Sequence, residues 1–239
     1  MESRITLQPA YLLHRIPFQN SSLIVDLFTR DYGRVRAVAK GARGAKSRSR
    51  ALLQPFQPLL VSLTGRSELK TLTGVEAMHQ PLRLDSTRLF SGLYVNELLS
   101  RLLPNHAEHE ALYGFYQDTL VALQGDSPLE QTLRYFELSL LAQLGYGISF
   151  EVLGDPPRSL ESSSHYRFDP KQGFSPCPAC EDACLGAEVI ALRDGNLEDL
   201  SGARAAKRLL RMALADHLGS KPLSSRSLFG KPRHSGSPQ

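Results

Sequence analysis

The chain of 239 residues has no run approaching the roughly 18 consecutive apolar residues that a membrane-crossing helix requires. Its opening stretch, MESRITLQP, carries an acid and a proline where a secretory leader would place a basic cap and an apolar segment. Cysteine is scarce: Cys177, Cys180 and Cys184 are the only three, crowded into eight residues. An odd and clustered set cannot supply a disulfide framework and suits a reducing compartment, so a cytoplasmic protein is expected. Internal repeats are absent. So are the constellations that carry catalysis: no serine lies in a nucleophile elbow, and no carboxylate pair falls in an apolar setting. His106 and His109 stand near Glu108 and Glu110, but beside Pro104 and Asn105 in a polar stretch that reads as a solvated turn. The pattern predicts a protein that is not an enzyme.

One further absence is local. Residues 33–50, GRVRAVAKGARGAKSRSR, contain seven cations and no carboxylate. The rest of the charge is also uneven. Residues 1–81 hold twelve Lys/Arg against five Asp/Glu, residues 82–219 hold twelve against nineteen, and the last twenty hold four cations and no acid. A basic front half directs a polyanionic partner to the N-terminal region.

What is present is enough to build a core. The chain is 41% hydrophobic and 22% charged, with ten Phe and eight Tyr, near the average for globular proteins. Its length suits two domains. The first eighty residues carry five β-rich runs, AYLLHRI, SLIVDLFT, RVRAVA, PLLVSLT and LKTLTGVEA, separated by turn-forming Gly, Asn, Asp and Ser. Five strands without an intervening helix predict a small barrel of the oligonucleotide-binding type.

After about residue 83 the apolar period lengthens to that of a helix. Leu89, Phe90, Leu93, Tyr94, Leu98 and Leu102 mark one face, ended by Pro104; Leu112, Phe115, Tyr116, Leu120 and Leu123 mark a second, followed by Gly125. A third helix has Ser127 as its expected cap, Pro128 at its first position and Glu130 closing a capping box. Its Leu129, Leu133, Phe136, Leu140 and Leu144 face inward until GYG. A fourth runs from about residue 202 to Gly219. The expected organisation is α+β and multidomain. Residues 1–81 form the five-stranded barrel, and 82–219 an all-α domain with a polar, cysteine-bearing, zinc-finger-like insertion at about 154–186. Residues 220–239 form a basic flexible tail.

Alternation in RVRAVAK sends Arg34, Arg36 and Lys40 to one face of a strand. The following GARGAKSRSR is too rich in Gly and Ser for a stable helix, and is expected to be a long mobile loop carrying Arg43, Lys46, Arg48 and Arg50. Cations spread this way match the repeating charge of a phosphate backbone better than a single small anion. With few aromatics in the stretch, backbone electrostatics should dominate over base stacking and give little sequence preference. GARGAKS is not a phosphate-binding loop, because Ala45 rather than Gly precedes Lys46 and only two residues separate Gly41 from Gly44. GARG has the Gly-x-x-Gly spacing of KH domains but follows a strand instead of joining two helices. Cys177, Cys180 and Cys184, with His165 as a fourth candidate, do not reproduce the spacing of a structural zinc site, so no cofactor is expected and the site is read as degenerate.

Several longer stretches resemble the bacterial RecO family of recombination and repair proteins. They are LLHRIPFQNSSLIVDLFTRDYGRVRAVAKGAR, LLQPFQPLLVSLTGRSELKTL, LFSGLYVNELLSRLLP, RYFELSLLAQLGYG and GSKPLSSRSLF. The resemblance implies an oligonucleotide-binding barrel joined to a helical domain. It also implies a non-enzymatic, nucleoid-associated mediator that binds single- and double-stranded DNA and anneals complementary strands. Such a mediator works with RecR to let RecA displace single-stranded-DNA-binding protein. Some family members hold zinc through four cysteines, a pattern from which this chain departs. The family recruits single-stranded-DNA-binding protein through that protein's acidic tail, for which an apolar pocket with a cationic rim is needed. Arg134, Phe136 and Leu138, with Lys207, Arg208 and Arg211 on the last helix, are the candidate residues. Two alternatives stay open: an RNA-binding module on the same barrel, and a scaffold whose basic segment meets an acidic protein.

Overall fold

A computed structural model describes residues 4–44, 46–197 and 200–229. Strands β1 (Arg4–Phe18), β2 (Ser22–Thr29), β3 (Gly33–Ala39), β4 (Leu59–Thr64) and β5 (Leu69–Ala77) close into a barrel in the order β1-β2-β3-β5-β4. All pairs are antiparallel except β3 and β5, which run parallel with Arg36 opposite Leu69. This is the oligonucleotide-binding fold. Closure requires every strand to pair on both sides, and β1 meets both β2 and β4 by bending. Its register shifts between Ile5 and Gln8 against β4 and between Leu12 and His14 against β2.

The period-two pattern explains the filling. On β3, Val35, Ala37 and Ala39 are buried while Arg36, and Lys40 just past the strand, are exposed. Val25 and Leu27 of β2 and Leu59, Val61 and Leu63 of β4 complete the interior with no exposed surface. Burying each such side chain contributes about 1.5–3 kcal/mol. The β2–β3 turn demands glycine: Gly33 has φ +60, and a Cβ there would lie 1.7 Å from the Ala107 carbonyl oxygen.

The described residues divide into two compact units, one running to Tyr113 and resuming at Ser220, the other Gly114–Gly219. The first therefore extends well past the change of period near residue 82. It takes in helix α2 (Ser86–Leu102), which packs on β1. The buried face of α2 is centred on Tyr94, Val95, Leu98 and Leu99, while Leu89, Phe90, Leu93 and Leu102 are only half-buried. The rotation follows from polar groups used as anchors. Asn96 donates from Nδ2 to the carbonyls of Leu12 (3.3 Å) and Leu13 (3.4 Å), where the β1 bulge interrupts the ladder.

Glu97, on the same helix, accepts from the backbone N–H of Ser224 and Ser225 (2.8 Å each) and from the Ser225 hydroxyl (2.6 Å). These residues open a 3-10 helix, Ser224–Phe229, whose Phe229 ring meets Phe90 edge-on at 5.9 Å. Residues 224–229 of the expected flexible tail are thus ordered against α2; residues 230–239 lie outside the described residues. Burial raises the Glu97 pKa, but the Ser225 and Ser224 hydrogen bonds outweigh it and hold the carboxyl below the ordinary glutamate value. A depressed carboxylate stabilises the fold above its unfolded pKa and loses that contribution as pH falls through the folded value. Hydrogen-exchange protection of the Ser224 and Ser225 amides is accordingly expected to be full near pH 6 and to fall below roughly pH 4, near the unperturbed glutamate value. Protection unchanged down to pH 3 would mean that Glu97 does not hold the segment.

Helix α3 (Glu110–Gln124) begins in the first unit, where Tyr113 packs on Tyr11 (5.7 Å) and Phe28 (5.4 Å). The second unit holds the rest of α3, then α4 (Leu129–Gln143), α5 (Gly186–Arg193) and α6 (Leu200–Leu218). Tyr116, Leu120, Phe136, Leu140, Leu192, Leu209 and Leu210 are buried there. Helix α4 starts one residue later than the spacing predicts: Pro128 is its cap residue and makes no side-chain cap bond. It ends as GYG indicates. Gly145 at φ +79 donates to Ala142 (3.1 Å) and Tyr146 to Leu141 (2.8 Å), the paired bonds of a Schellman terminus. Phe115, read as core, is 41% exposed.

The insertion expected as a polar, zinc-finger-like stretch is a small sheet. Strands β6 (Glu151–Val152), β7 (Arg158–Ser159), β8 (His165–Asp169), β9 (Gly173–Pro176) and β10 (Cys184–Leu185) pair in the order β10-β8-β9-β6-β7. Phe168 and Phe174, 5.0 Å apart, form its packed centre. Strands this short have too few residues for alternation to register in the sequence.

Candidate nucleic-acid interface

Strand β3 delivers the basic segment. Arg36 lies on its outer face and Lys40 directly after the strand, followed by Arg43, Lys46, Arg48 and Arg50, all exposed. The segment is more ordered than its composition predicts. Turns through Gly41–Gly44 lead to a short helix α1 (Arg48–Leu52), capped by the Ser47 hydroxyl, which accepts from the Arg50 N–H at 3.4 Å. Arginine side chains add to that order. Arg43 Nη1 donates to the carbonyl of Gln19 at 3.0 Å, and its backbone N–H to Ser21 at 2.9 Å, tying the segment to the β1–β2 turn. Arg50 Nη1 reaches the Arg43 carbonyl at 3.4 Å. The expected long mobile loop is therefore corrected to a turn and helix fastened at several points.

Arg34 does not belong with the others. Its guanidinium clasps Asp26, Nε to Oδ1 at 2.9 Å and Nη2 to Oδ2 at 2.8 Å, and Nη1 donates to the Leu103 carbonyl at 3.2 Å. Ser100 adds a third donor to Asp26 at 2.8 Å. The side chains of Arg34 and Asp26 are only 19% and 9% exposed, so this pair is an internal fastening between barrel and α2. Sequence alternation placed Arg34 on the correct face but could not show that Asp26, opposite Arg36 on β2, turns to meet it.

Arg15 is the cation that sequence reading missed. It lies near the C-terminal end of the bent β1, donating from Nη1 to the Leu53 carbonyl (2.5 Å) and from Nη2 to Gln54 Oε1 (3.2 Å). With Arg43 and Arg50 it lines a groove of about 380 Å³ that also contains Pro17, Leu23 and Ala42. A lone arginine within an apolar strand carries no local signal; only barrel closure brings it beside residues 43–50.

The residues expected to receive an acidic tail are not gathered at one surface. Arg134 is buried and paired with Glu137 at 2.9 Å, with side chains 6% and 1% exposed, so it offers no cationic rim. Phe136 is buried beside it and Leu138 is half-buried. Arg208 clamps the cysteine loop, donating to the carbonyls of Glu181 (2.7 Å) and Ala183 (2.5 Å). Lys207 pairs with Glu130 at 2.9 Å, whereas Arg211 is exposed.

The zinc pattern does not fit either. Cys184 is buried and its Sγ accepts from Arg208 Nη2 at 2.9 Å. Burial pushes this thiol pKa up despite the nearby guanidinium, and a guanidinium in contact with the sulfur opposes a second cation there. Cys180 is exposed, and no group of three or more His, Cys, Asp or Glu among the described residues could hold a metal ion. His106 and His109 are half-buried rather than solvated, and burial lowers the His109 pKa.

A closed barrel of this strand order, a helix-rich second unit and a cationic segment leaving β3 define a protein built on the oligonucleotide-binding fold. Residues 1–81 match the family model "Recombination protein O N terminal" and residues 83–227 match "Recombination protein O C terminal". The chain is 44% identical over 229 residues to the DNA repair protein RecO of Cellvibrio japonicus, covering 95% of this chain and 97% of that one. Against the DNA repair protein RecO of Yersinia pestis it is 43% identical over 224 residues, 93% of each chain. The chain belongs to the RecO family of DNA repair and recombination proteins. No helix among the described residues is long and apolar enough to cross a membrane.

Proposed function

We propose that the protein is a recombination mediator that binds single- and double-stranded DNA on the cationic side of its barrel, anneals complementary strands, and works with RecR to load RecA onto DNA coated by single-stranded-DNA-binding protein. The observation that carries this reading is the row of exposed cations Arg36, Lys40, Arg43, Lys46, Arg48 and Arg50, with no carboxylate between residues 33 and 50. Annealing requires two polyanions to approach while their bases remain free to pair. A surface that meets phosphates and offers few aromatics screens the repulsion without capturing the bases. The protein acts without chemistry of its own and without a resident metal, so chelation should leave annealing unchanged.

Fluorescence anisotropy with labelled single-stranded DNA across a salt series tests the reading. Neutralising about four to six phosphates gives a log–log slope near −3 to −4. Annealing should proceed in the same samples without nucleotide. A flat salt response would transfer the basic segment to a protein partner.

For the acidic tail of single-stranded-DNA-binding protein, the proposed surface moves to α6. Arg204, Lys207 and Arg211 recur there at helical spacing, all exposed, with Met212 39% exposed beside them. The groove between α3 and α4, lined by Phe115, Asp118 and Tyr135, carries an acid and no cation, which disfavours an acidic peptide. Arg211→Glu is expected to weaken tail-peptide binding about tenfold, the worth of one charge-assisted contact, and Arg134→Ala to act through stability alone. The opposite ranking in a peptide titration would return the site to α4.

A further inference from the structure

The barrel groove holds more positive charge than its own fold satisfies. Arg15, Arg43 and Arg50 line it together with the apolar Pro17, Leu23 and Ala42, and none of its lining residues is a carboxylate. Among the described residues, none of the three arginines makes an ion pair, although every other element of the arrangement is fastened. Arg15 holds Leu53 and Gln54; Gln54 Nε2 holds the Arg50 carbonyl at 2.8 Å; Arg50 holds the Arg43 carbonyl; and Arg43 holds Gln19. The bonds link the segments that surround the groove, and all three arginines line it.

Each guanidinium has five N–H donors. The internal bonds use one or two from each, so each guanidinium keeps N–H donors that these bonds do not use. Like charges set side by side without a counter-ion destabilise a fold, and the acceptor that relieves them is a compact dianionic or monoanionic oxyanion. At about 380 Å³ the groove has room for a phosphate with part of its sugar. Pre-positioned donors lose little rotamer freedom on binding, which favours a seat over a diffuse contact.

We infer that Arg15, Arg43 and Arg50 form a preformed seat for a single backbone phosphate of DNA, with Arg15 as both a contact and the residue that positions α1. The inference rests on the DNA-binding reading above and adds to it a shared site: three arginines act on one phosphate, while Arg36, Lys40, Lys46 and Arg48 meet others.

The test is a cycle of Arg15→Gln, Arg50→Gln and the double variant, read as the salt slope of single-stranded DNA binding. One phosphate contributes about 0.7 to that slope. Each single variant should lose about 0.7 or less, and the double variant should lose no more than about 0.7 in total, because both residues serve one phosphate. Losses that add to about 1.4 mean separate phosphates and overturn the seat. An unchanged slope in the double variant overturns it as well. If the unaltered protein does not bind DNA, the broader reading fails instead. Arg50 is exposed and its variant should melt as the parent does, so the inference survives a folding defect in Arg15→Gln. Inorganic phosphate titrated at constant ionic strength gives a second readout: it should weaken DNA binding by the parent and have no such effect on the double variant. Equal competition in both would place phosphate elsewhere.

Discussion

Replacing Arg43, Lys46 and Arg48 together by glutamate is expected to lower affinity for single-stranded DNA about a hundredfold at roughly 0.1 M salt. Each phosphate contact contributes about 0.7 to the salt slope; Lys46 and Arg48 meet separate phosphates and a glutamate at position 43 sets a carboxylate against a third, so between 1 M and 0.1 M salt the loss amounts to about two powers of ten. Repulsion from the new carboxylates adds to this. The slope itself should become shallower by about two, and the loss should be the same for every base sequence, because phosphates carry no sequence information. Lys46 and Arg48 are exposed, and Arg43 contributes only surface hydrogen bonds to backbone carbonyls, so the melting temperature should move little. Unchanged affinity at low salt would remove the segment from the DNA interface.

Asp26→Ala should have the largest effect on stability. The carboxylate takes two parallel bonds from Arg34 and one from Ser100 and is nearly enclosed. Removing it leaves a guanidinium without its counter-charge and a hydroxyl without its acceptor. Breaking a buried pair from one side costs about 3–5 kcal/mol, and in a unit of this size each kcal/mol shifts the melting temperature by a few degrees. A drop of roughly 10 °C or more is expected. Asp26→Ala combined with Arg34→Met should recover a large part of the loss, since no charge is then stranded. DNA binding offers an independent discrimination. Arg34→Met alone should leave the salt slope unaltered, in contrast to the exposed arginines. A melting temperature within 2 °C of the parent for Asp26→Ala would show the pair to be peripheral.

Much of the fold was legible because the patterns that form it are local. Val35, Ala37 and Ala39 are buried while Arg34, Arg36 and Val38 between them are half-buried or exposed, and that alternation alone assigns β3 and its inner face. The Schellman end of α4 is written in Gly145. Where the pattern misled, a distant partner was responsible. The face of α2 is turned by Asn96 reaching Leu12 and Leu13 and by Glu97 holding Ser224 and Ser225, contacts separated by more than eighty residues. Residues 48–52 are helical although Gly and Ser precede them: Gln54 holds the Arg50 carbonyl, and Arg15 fastens Leu53 and Gln54 just past the helix.

The candidate site divides along the same line. An acid-free run of seven cations is visible in the sequence, and so is its consequence, a surface for a polyanion, because net charge needs no geometry to act at a distance. Which cations are available is a matter of tertiary structure. Arg34 is withdrawn by Asp26, Arg134 by Glu137 and Arg208 by the carbonyls of the cysteine loop, while Arg15 enters from a strand that carries no charge pattern. A side chain's availability depends on the partners that folding brings within about 3 Å, and hydrogen-bond geometry at that range is set by the closed barrel and the packed helices rather than by neighbours in the chain.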